Sequence, residues 1–233
     1  MPHQLTANDV TYEQVAQMID HSLLRPELTT TEILDGCATA AKYQVASATL
    51  RPCDVALGVD ALEGSGVPVS TVVGFPHGAN TTETKVAEAL QCVADGAIEL
   101  DMVLNIGRLR SGELSYVTKD IAAVVDAAGS DAIVKVIFEN AYLDDGQKIS
   151  ACEAAESAGA AFVKTSTGFA PTGATLGDLQ LMVDSVSRDV LVKAAGGIRT
   201  LDGLLEVMSI GVRRIGATRT ESMLEDYKAR VSA

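Results

Sequence analysis

Three features of the chain predict a closed (β/α)8 barrel. Short β-branched apolar runs alternate with Ala-rich helical stretches, glycines sit between helix ends and the strands that follow, and charged residues recur at the ends of many different strands. The apolar runs fall at 45–50, 69–73, 97–103, 133–138, 161–165, 190–194 and 213–216. Helical stretches occupy 31–43, 82–94, 117–128, 149–157, 176–186 and 201–208. Strand, helix, strand in repetition means βαβ units and a parallel sheet. Gly96, Gly159 and Gly211 follow helical stretches directly, where glycine takes the left-handed conformation without a Cβ penalty. Asn80 followed by Glu83 reads as a capping box opening the helix at 82–94.

Closure needs an eighth strand. Its place is 19–23 in "MIDHSLLRP", between a helix-like 11–18 and a helix starting near Thr30, although the apolar signal there is weak. An open doubly wound sheet is the competing architecture. Charges spread over many strand ends favour the ring, because a barrel gathers its βα loops at one mouth. The 233 residues suit one domain spanning 1–233, and no linker or low-complexity segment interrupts them.

Composition narrows the function. Hydrophobic residues make up 47% and charged residues 21%, the balance of a globular chain. Aromatics are 4% and Trp is absent, so Ala, Val, Ile and Leu must build the core. With 18 Lys and Arg against 31 Asp and Glu, the formal charge is −13. Nucleic acid and anionic membranes demand a basic face, so neither is expected as a partner. A small phosphorylated substrate stays open, since a few backbone N–H groups and one or two cations hold a phosphate locally. Cys37, Cys53, Cys92 and Cys152 show no C-x-x-C spacing and read as free thiols of a cytoplasmic protein. The start "MPHQLTANDVTYEQ" has no signal-peptide apolar region, and no apolar run approaches the ~20 residues of a membrane helix.

The chemistry concentrates in three lysines. Lys135 in "AIVKVIFE", Lys164 in "AFVKTSTG" and Lys193 in "VLVKAAGG" are each 29 residues from the next. One interval is one βα unit, so the lysines should occupy equivalent places on three consecutive strands. Buried ammonium groups are costly, and three on neighbouring strands require a reason. Snorkelling at strand ends is the bland alternative. The functional one is electrostatic: strands stand ~4.8 Å apart, and like charges that close, with burial, lower the pKa of one amine. A lysine neutral near pH 7 attacks aldehydes and ketones, as Schiff-base chemistry requires.

Asp101 in "AIELDMVLN" is placed to pair with the lysines or to relay protons through a water, with a plain salt bridge as the alternative. Glu99 should face the same way and reach a lysine deeper in the barrel. Asp20 is a second acidic candidate, and His21 beside it reads as structural. "KAAGGIRT" places Gly196 and Gly197 after the seventh strand, and "RIGATRT" places Gly216, Ala217 and Thr218 after the eighth. Loops at those positions commonly cradle a phosphate with backbone N–H groups. "TSTG", ending at Gly168, could close a third side, and Arg199 and Arg219 could add charge. His3, His21 and His77 lie far apart, so no metal site is expected. No dinucleotide or Walker motif is present.

"IDHSLL", "VVGFPHG", "ELDMVLNIG", "VKVIFEN", "FVKTSTGF" and "VKAAGGIRT", in this order from about Ile19 to about Thr218, resemble the deoxyribose-phosphate aldolases of the short bacterial type. The resemblance implies a TIM barrel and a class I aldolase. Such an enzyme cleaves 2-deoxy-D-ribose 5-phosphate to D-glyceraldehyde 3-phosphate and acetaldehyde, with no metal or organic cofactor. It implies Lys164 as the Schiff-base lysine, Lys193 as the residue that lowers its pKa and relays protons, Asp101 as the proton relay and Asp20 in support. It also implies a cytoplasmic homodimer working in deoxynucleoside breakdown. The reaction is read as attack on C1, removal of the C3 hydroxyl proton and cleavage between C3 and C4. Two positions depart from the family: Thr49 stands where cysteine is frequent, and "GATRT" puts Arg219 in the last loop. A Schiff-base aldolase for another phosphorylated sugar, or a non-catalytic sugar-phosphate binder, remains the alternative.

Overall fold

The computed structural model describes residues 5–232. His3, the first residues of the N-terminal segment and the two end points of the expected domain lie outside the described residues. The elements run α1 (Tyr12–Ala16), β1 (Ile19–Leu23), α2 (Thr30–Tyr43), β2 (Ser47–Leu50), α3 (Val55–Leu62) and β3 (Val69–Val73). They continue with α4 (Thr82–Ala94), β4 (Glu99–Val103), α5 (Ile106–Arg110), α6 (Leu114–Ala128), β5 (Ile133–Ile137) and α7 (Asp145–Ser157). The last are β6 (Phe162–Lys164), α8 (Leu176–Ser185), β7 (Leu191–Ala195), α9 (Leu201–Ser209), β8 (Arg214–Ala217) and α10 (Thr220–Val231).

The eight strands are parallel and close in chain order, with β8 pairing back onto β1. This is the (β/α)8 TIM barrel and not the open sheet. The weakest-looking strand has a physical explanation. In β1, Asp20 reaches the barrel interior, where Ser47 donates to it, while His21 faces outward to Thr220. A strand that carries polar groups inward loses its apolar signature without losing its place. Between strands and helices the packing is conventional: α2 buries Ile33, Cys37 and Ala40, and α6 buries Val117, Ile121, Val124 and Ala128, each along one helical stripe. The α2 stripe runs close. A Cβ at Gly36 would come within 2.6 Å of both methyl carbons of Leu23.

Several local expectations change. The helix at 82–94 has the expected bounds, but its cap is Thr81, whose hydroxyl accepts from Thr84 N; Asn80 and Glu83 form no capping box. The cap residue must lie directly before the first helical turn, and Asn80 is one residue too early. The glycines behave as read, with φ of 102° at Gly96, 82° at Gly159 and 100° at Gly211. Helices α3, α5 and α10 lacked a recognised pattern. Charged α10, for example, buries only Thr220, Met223, Leu224 and Tyr227. Helix α7 starts at Asp145 because Asp144 and Gln147 cap it reciprocally, four residues before its apolar pattern begins. Among the described residues, no helix is long and apolar enough to cross a membrane.

Candidate active site

Alternation along the strands sends one polar set into the barrel. Glu99 and Asp101 from β4, Lys135 from β5, Lys164 from β6, Lys193 from β7, Arg214 from β8 and Asp20 from β1 meet there, all buried except Arg214, which is partly so. Asp101 is the hub. Its Oδ2 accepts from Lys164 Nζ at 2.6 Å and from Lys193 Nζ at 2.7 Å, and its Oδ1 accepts from Lys135 Nζ at 2.8 Å. Lys193 also pairs with Asp20 Oδ2. Lys135 donates to Glu99 Oε2 at 2.5 Å, and Arg214 donates to Asp20 Oδ1 at 2.5 Å and lies 3.4 Å from Glu99 Oε1.

The three lysines are not at one level. Lys164 pairs in register with Lys193, but Lys135 is level with Phe162, one inward-facing layer deeper. Closing a barrel staggers its strands, so equal sequence spacing does not mean equal height. Asp101 is in register with Lys135 and still reaches the other two lysines across that stagger. Glu99 reaches Lys135 as anticipated.

The electrostatics separate the amines. Burial alone would raise the Asp101 carboxyl, but Lys135, Lys164 and Lys193 outweigh it and hold it well below the usual carboxylate range. Asp20 is likewise held low, by Lys193, Lys135 and Arg214 against burial. Burial also disfavours the Lys135 ammonium, yet Asp101, Asp20 and Glu99 together keep its pKa above the ordinary lysine value. Lys164 differs. Burial pushes its pKa down to about 8, the attraction of Asp101 opposes this, and Lys193 adds to the lowering. The cluster holds three carboxylates against four cations, so loss of one proton balances it. Lys164 has a single carboxylate partner, and it shares that oxygen with Lys193.

Above the cluster opens a cavity of about 610 Å³. Lys164, Lys193 and Thr49 line its floor, and the expected loop residues Gly168, Gly196, Gly197, Gly216, Ala217 and Thr218 line its wall. Arg199 lines it too, whereas Arg219 is exposed and does not. The loop after β6 closes onto the loop after β7: Ala174 N donates to Gly196 O at 2.8 Å, and a Cβ on Gly173 would lie 2.2 Å from that oxygen. Asp20 stands beneath, touching Lys193. His21 is structural, with Nδ1 2.8 Å from Thr220 Oγ1 and its pKa lowered to about 4 by burial.

Sequence reasoning missed Arg214 and Glu139. Arg214 lies two residues before Gly216 on one strand, so period-2 alternation could have found it. Glu139 is buried beside Thr167 at a left-handed backbone position, for which a non-glycine residue carries no sequence mark.

The pattern of residues 14–219 matches that of the DeoC/LacD family aldolases. The chain belongs to that family. A deoxyribose-phosphate aldolase of Caldanaerobacter subterraneus subsp. tengcongensis is 50% identical over 216 residues, covering 92% of this chain and 94% of the relative. One from Clostridium kluyveri is 49% identical over 206 residues, 88% of this chain and 94% of the relative. Among solved structures, the deoxyribose phosphate aldolase of Aeropyrum pernix, described as a unique tetramer, aligns with a TM-score of 0.87 at 30% identity, covering 94% of this chain and 93% of its own. Membership in the DeoC/LacD aldolases makes the chain an enzyme, a carbon–carbon lyase.

Proposed function

We propose that the chain is a class I aldolase that reversibly cleaves 2-deoxy-D-ribose 5-phosphate to D-glyceraldehyde 3-phosphate and acetaldehyde through an imine on Lys164. The observation that carries the reading is the Lys164 amine: it lines the cavity, its pKa is pushed down to about 8, and a carboxylate and a second ammonium stand beside it. With a pKa near 8, roughly a tenth of the amine is neutral at pH 7. The names of the relatives supply the substrate.

Neutral Lys164 adds to the C1 aldehyde of the open-chain sugar, and loss of water gives an iminium. Asp101, through a water, takes the C3 hydroxyl proton. The C3–O pair becomes the carbonyl of D-glyceraldehyde 3-phosphate, the C2–C3 bond breaks, and its electrons form the enamine and neutralise the iminium nitrogen. The break at C3–C4 read from the sequence does not balance, because it would leave a three-carbon donor and a two-carbon phosphate. Protonation of the enamine at C2 and hydrolysis release acetaldehyde and restore the amine. Lys193 acts by its charge, held between Asp101 and Asp20. Gly168, Gly196, Gly197, Gly216, Ala217 and Thr218 with Arg199 take the phosphate. Arg219, which left room for a different phosphorylated sugar, stands outside the cavity wall. No step calls for a metal or organic cofactor. The working form is read as a cytoplasmic homodimer of one-domain subunits, 1–233, and light scattering tests its size against the tetramer described for the Aeropyrum protein.

Borohydride reduction with 2-deoxyribose 5-phosphate present tests the core of the reading. The adduct mass is expected on the peptide containing Lys164. Labelling on Lys135 or Lys193 would overturn the assignment, and no adduct at all would favour a sugar-phosphate binder.

A further inference from the structure

Behind the Lys164 loop lies a buried carboxylate with no part in the reaction above. Glu139 follows β5 with φ of 59° and ψ of 66°, the left-handed region that crowds a Cβ. Glycine would adopt that conformation without strain. The glutamate instead turns a buried side chain onto the loop after β6. Its carboxylate accepts the Thr167 N–H, 3.3 Å from each oxygen, and the Thr167 hydroxyl. Thr167 Oγ1 in turn accepts from Phe169 N at 3.0 Å. Asn140 N fastens the same two loops by donating to Thr165 O at 2.9 Å.

This latch has a consequence for the cavity wall. Thr167, Gly168 and Phe169 all line it. The amides of Thr167 and Phe169 are used inside the latch, while among the described residues the Gly168 N–H donates to no protein group. At φ of 87°, Gly168 holds a conformation open to few other residues. Phe169 is fixed further by an edge-to-face contact with Phe75, centroids 5.4 Å apart.

We infer that Glu139 is a positioning residue for phosphate recognition: through Thr167 it sets the Lys164 loop so that the Gly168 amide is the free donor offered to the substrate's phosphate. The inference rests on the substrate proposed above. Its expected effect is on discrimination between a phosphorylated and an unphosphorylated sugar, because Lys164 is placed by Asp101 and the strand register and meets the Glu139 carboxylate through charge alone.

The experiment compares kcat/KM for 2-deoxyribose 5-phosphate and for 2-deoxyribose in the parent, Glu139→Gly and Glu139→Gln. Glycine suits the backbone at 139, so Glu139→Gly removes the latch without adding strain. Preference for the phosphate ester should fall by about tenfold, the value of roughly one hydrogen bond to a charged group. The loss should appear in KM, and inorganic phosphate should inhibit the variant more weakly. Glu139→Gln, which still offers an oxygen to Thr167, should restore part of the preference. Equal losses on both sugars, or an unchanged preference, would overturn the inference. If Glu139→Gly fails to fold, the same ratio in Thr167→Val against Thr167→Ser decides. A parent that cleaves neither sugar would instead refute the proposed reaction, and phosphate affinity measured by calorimetry would then judge the latch alone.

Discussion

Replacing Lys193 with leucine removes one of the two ammonium groups that share Asp101 Oδ2. Both touch that oxygen, at 2.6 and 2.7 Å, so the nitrogens are no more than about 5 Å apart, where two unit charges at an effective dielectric constant of about 20 repel by about 3 kcal/mol. That is about two pH units of pKa depression. Asp101, freed from Lys193, also turns more fully to Lys164, which acts in the same direction. The Lys164 pKa should therefore climb from about 8 to about 10, and the free amine at pH 7 should drop from about a tenth to about one part in a thousand. The expected result is an approximately hundredfold loss of kcat/KM at pH 7, most of it recovered near pH 10. Product aldehyde release measured across pH 6–11, beside the rate of borohydride trapping, reads this directly. Lys193→Arg keeps the charge with different geometry and should retain partial activity without the alkaline shift. If Lys193→Leu loses the same factor at every pH while melting like the parent, Lys193 does not work by tuning its neighbour.

Activity should survive exhaustive chelation, because the proposed reaction takes its electron sink from the iminium; a loss restored by zinc would contradict it. Thr49 lines the cavity with its hydroxyl 2.7 Å from Ser70 Oγ, and Cys53 does not line it. Thr49→Cys should therefore become more sensitive to prolonged acetaldehyde, since a thiol adds to the unsaturated aldehydes of self-condensation; equal half-lives would refute this. His21, with its pKa lowered to about 4 by burial, binds its proton more weakly folded than unfolded. Stability should fall as pH drops from about 6.5 to about 4, by at most about 3 kcal/mol from this group. Urea melts of His21→Gln should show a flatter dependence in that window, and an unchanged slope would count against the assignment.

The barrel could be read from the chain because seven of its strands keep an apolar face toward the helices, and Gly96, Gly159 and Gly211 mark where β4, β6 and β8 begin. The eighth, β1, was faint for the same reason that it matters: Asp20 occupies an inward position where a core strand would carry a hydrophobe. The lysines announced themselves by spacing, but spacing measures the chain and not the stagger of the barrel, so the depth of Lys135 was misjudged. Arg213 and Arg214 look alike in "GVRRIGA", and only the inward direction of Gly216 tells which of them enters the cluster. Glu139 was hidden more thoroughly. Its role depends on a backbone angle and on a partner, Thr167, from the next βα unit.

Burial alone does not distinguish the lysine proposed to react. Lys85, in α4, is as buried as Lys164 and donates to Asp120 Oδ2 at 2.5 Å and to Val103 O at 3.0 Å. Its ammonium pairs with Asp120, Glu88 also attracts it, a carbonyl takes another proton, and the side chain is fully buried. Burial lowers the Lys85 pKa as well, against the pull of Asp120 and Glu88, so a lowered pKa alone does not mark a nucleophile. The barrel cluster is arranged the other way. Four cations face three carboxylates, and the surplus falls on the lysine whose only carboxylate oxygen is also claimed by Lys193. Releasing that proton removes an excess charge and leaves Asp101 still paired twice, with Lys135 and Lys193. Lys164 also lines the cavity floor, beside Lys193 and beneath the loops after β6, β7 and β8. A nucleophile needs both conditions, a proton that the surroundings do not hold and a space where a carbonyl can arrive, and the role proposed for Lys164 rests on its meeting them together.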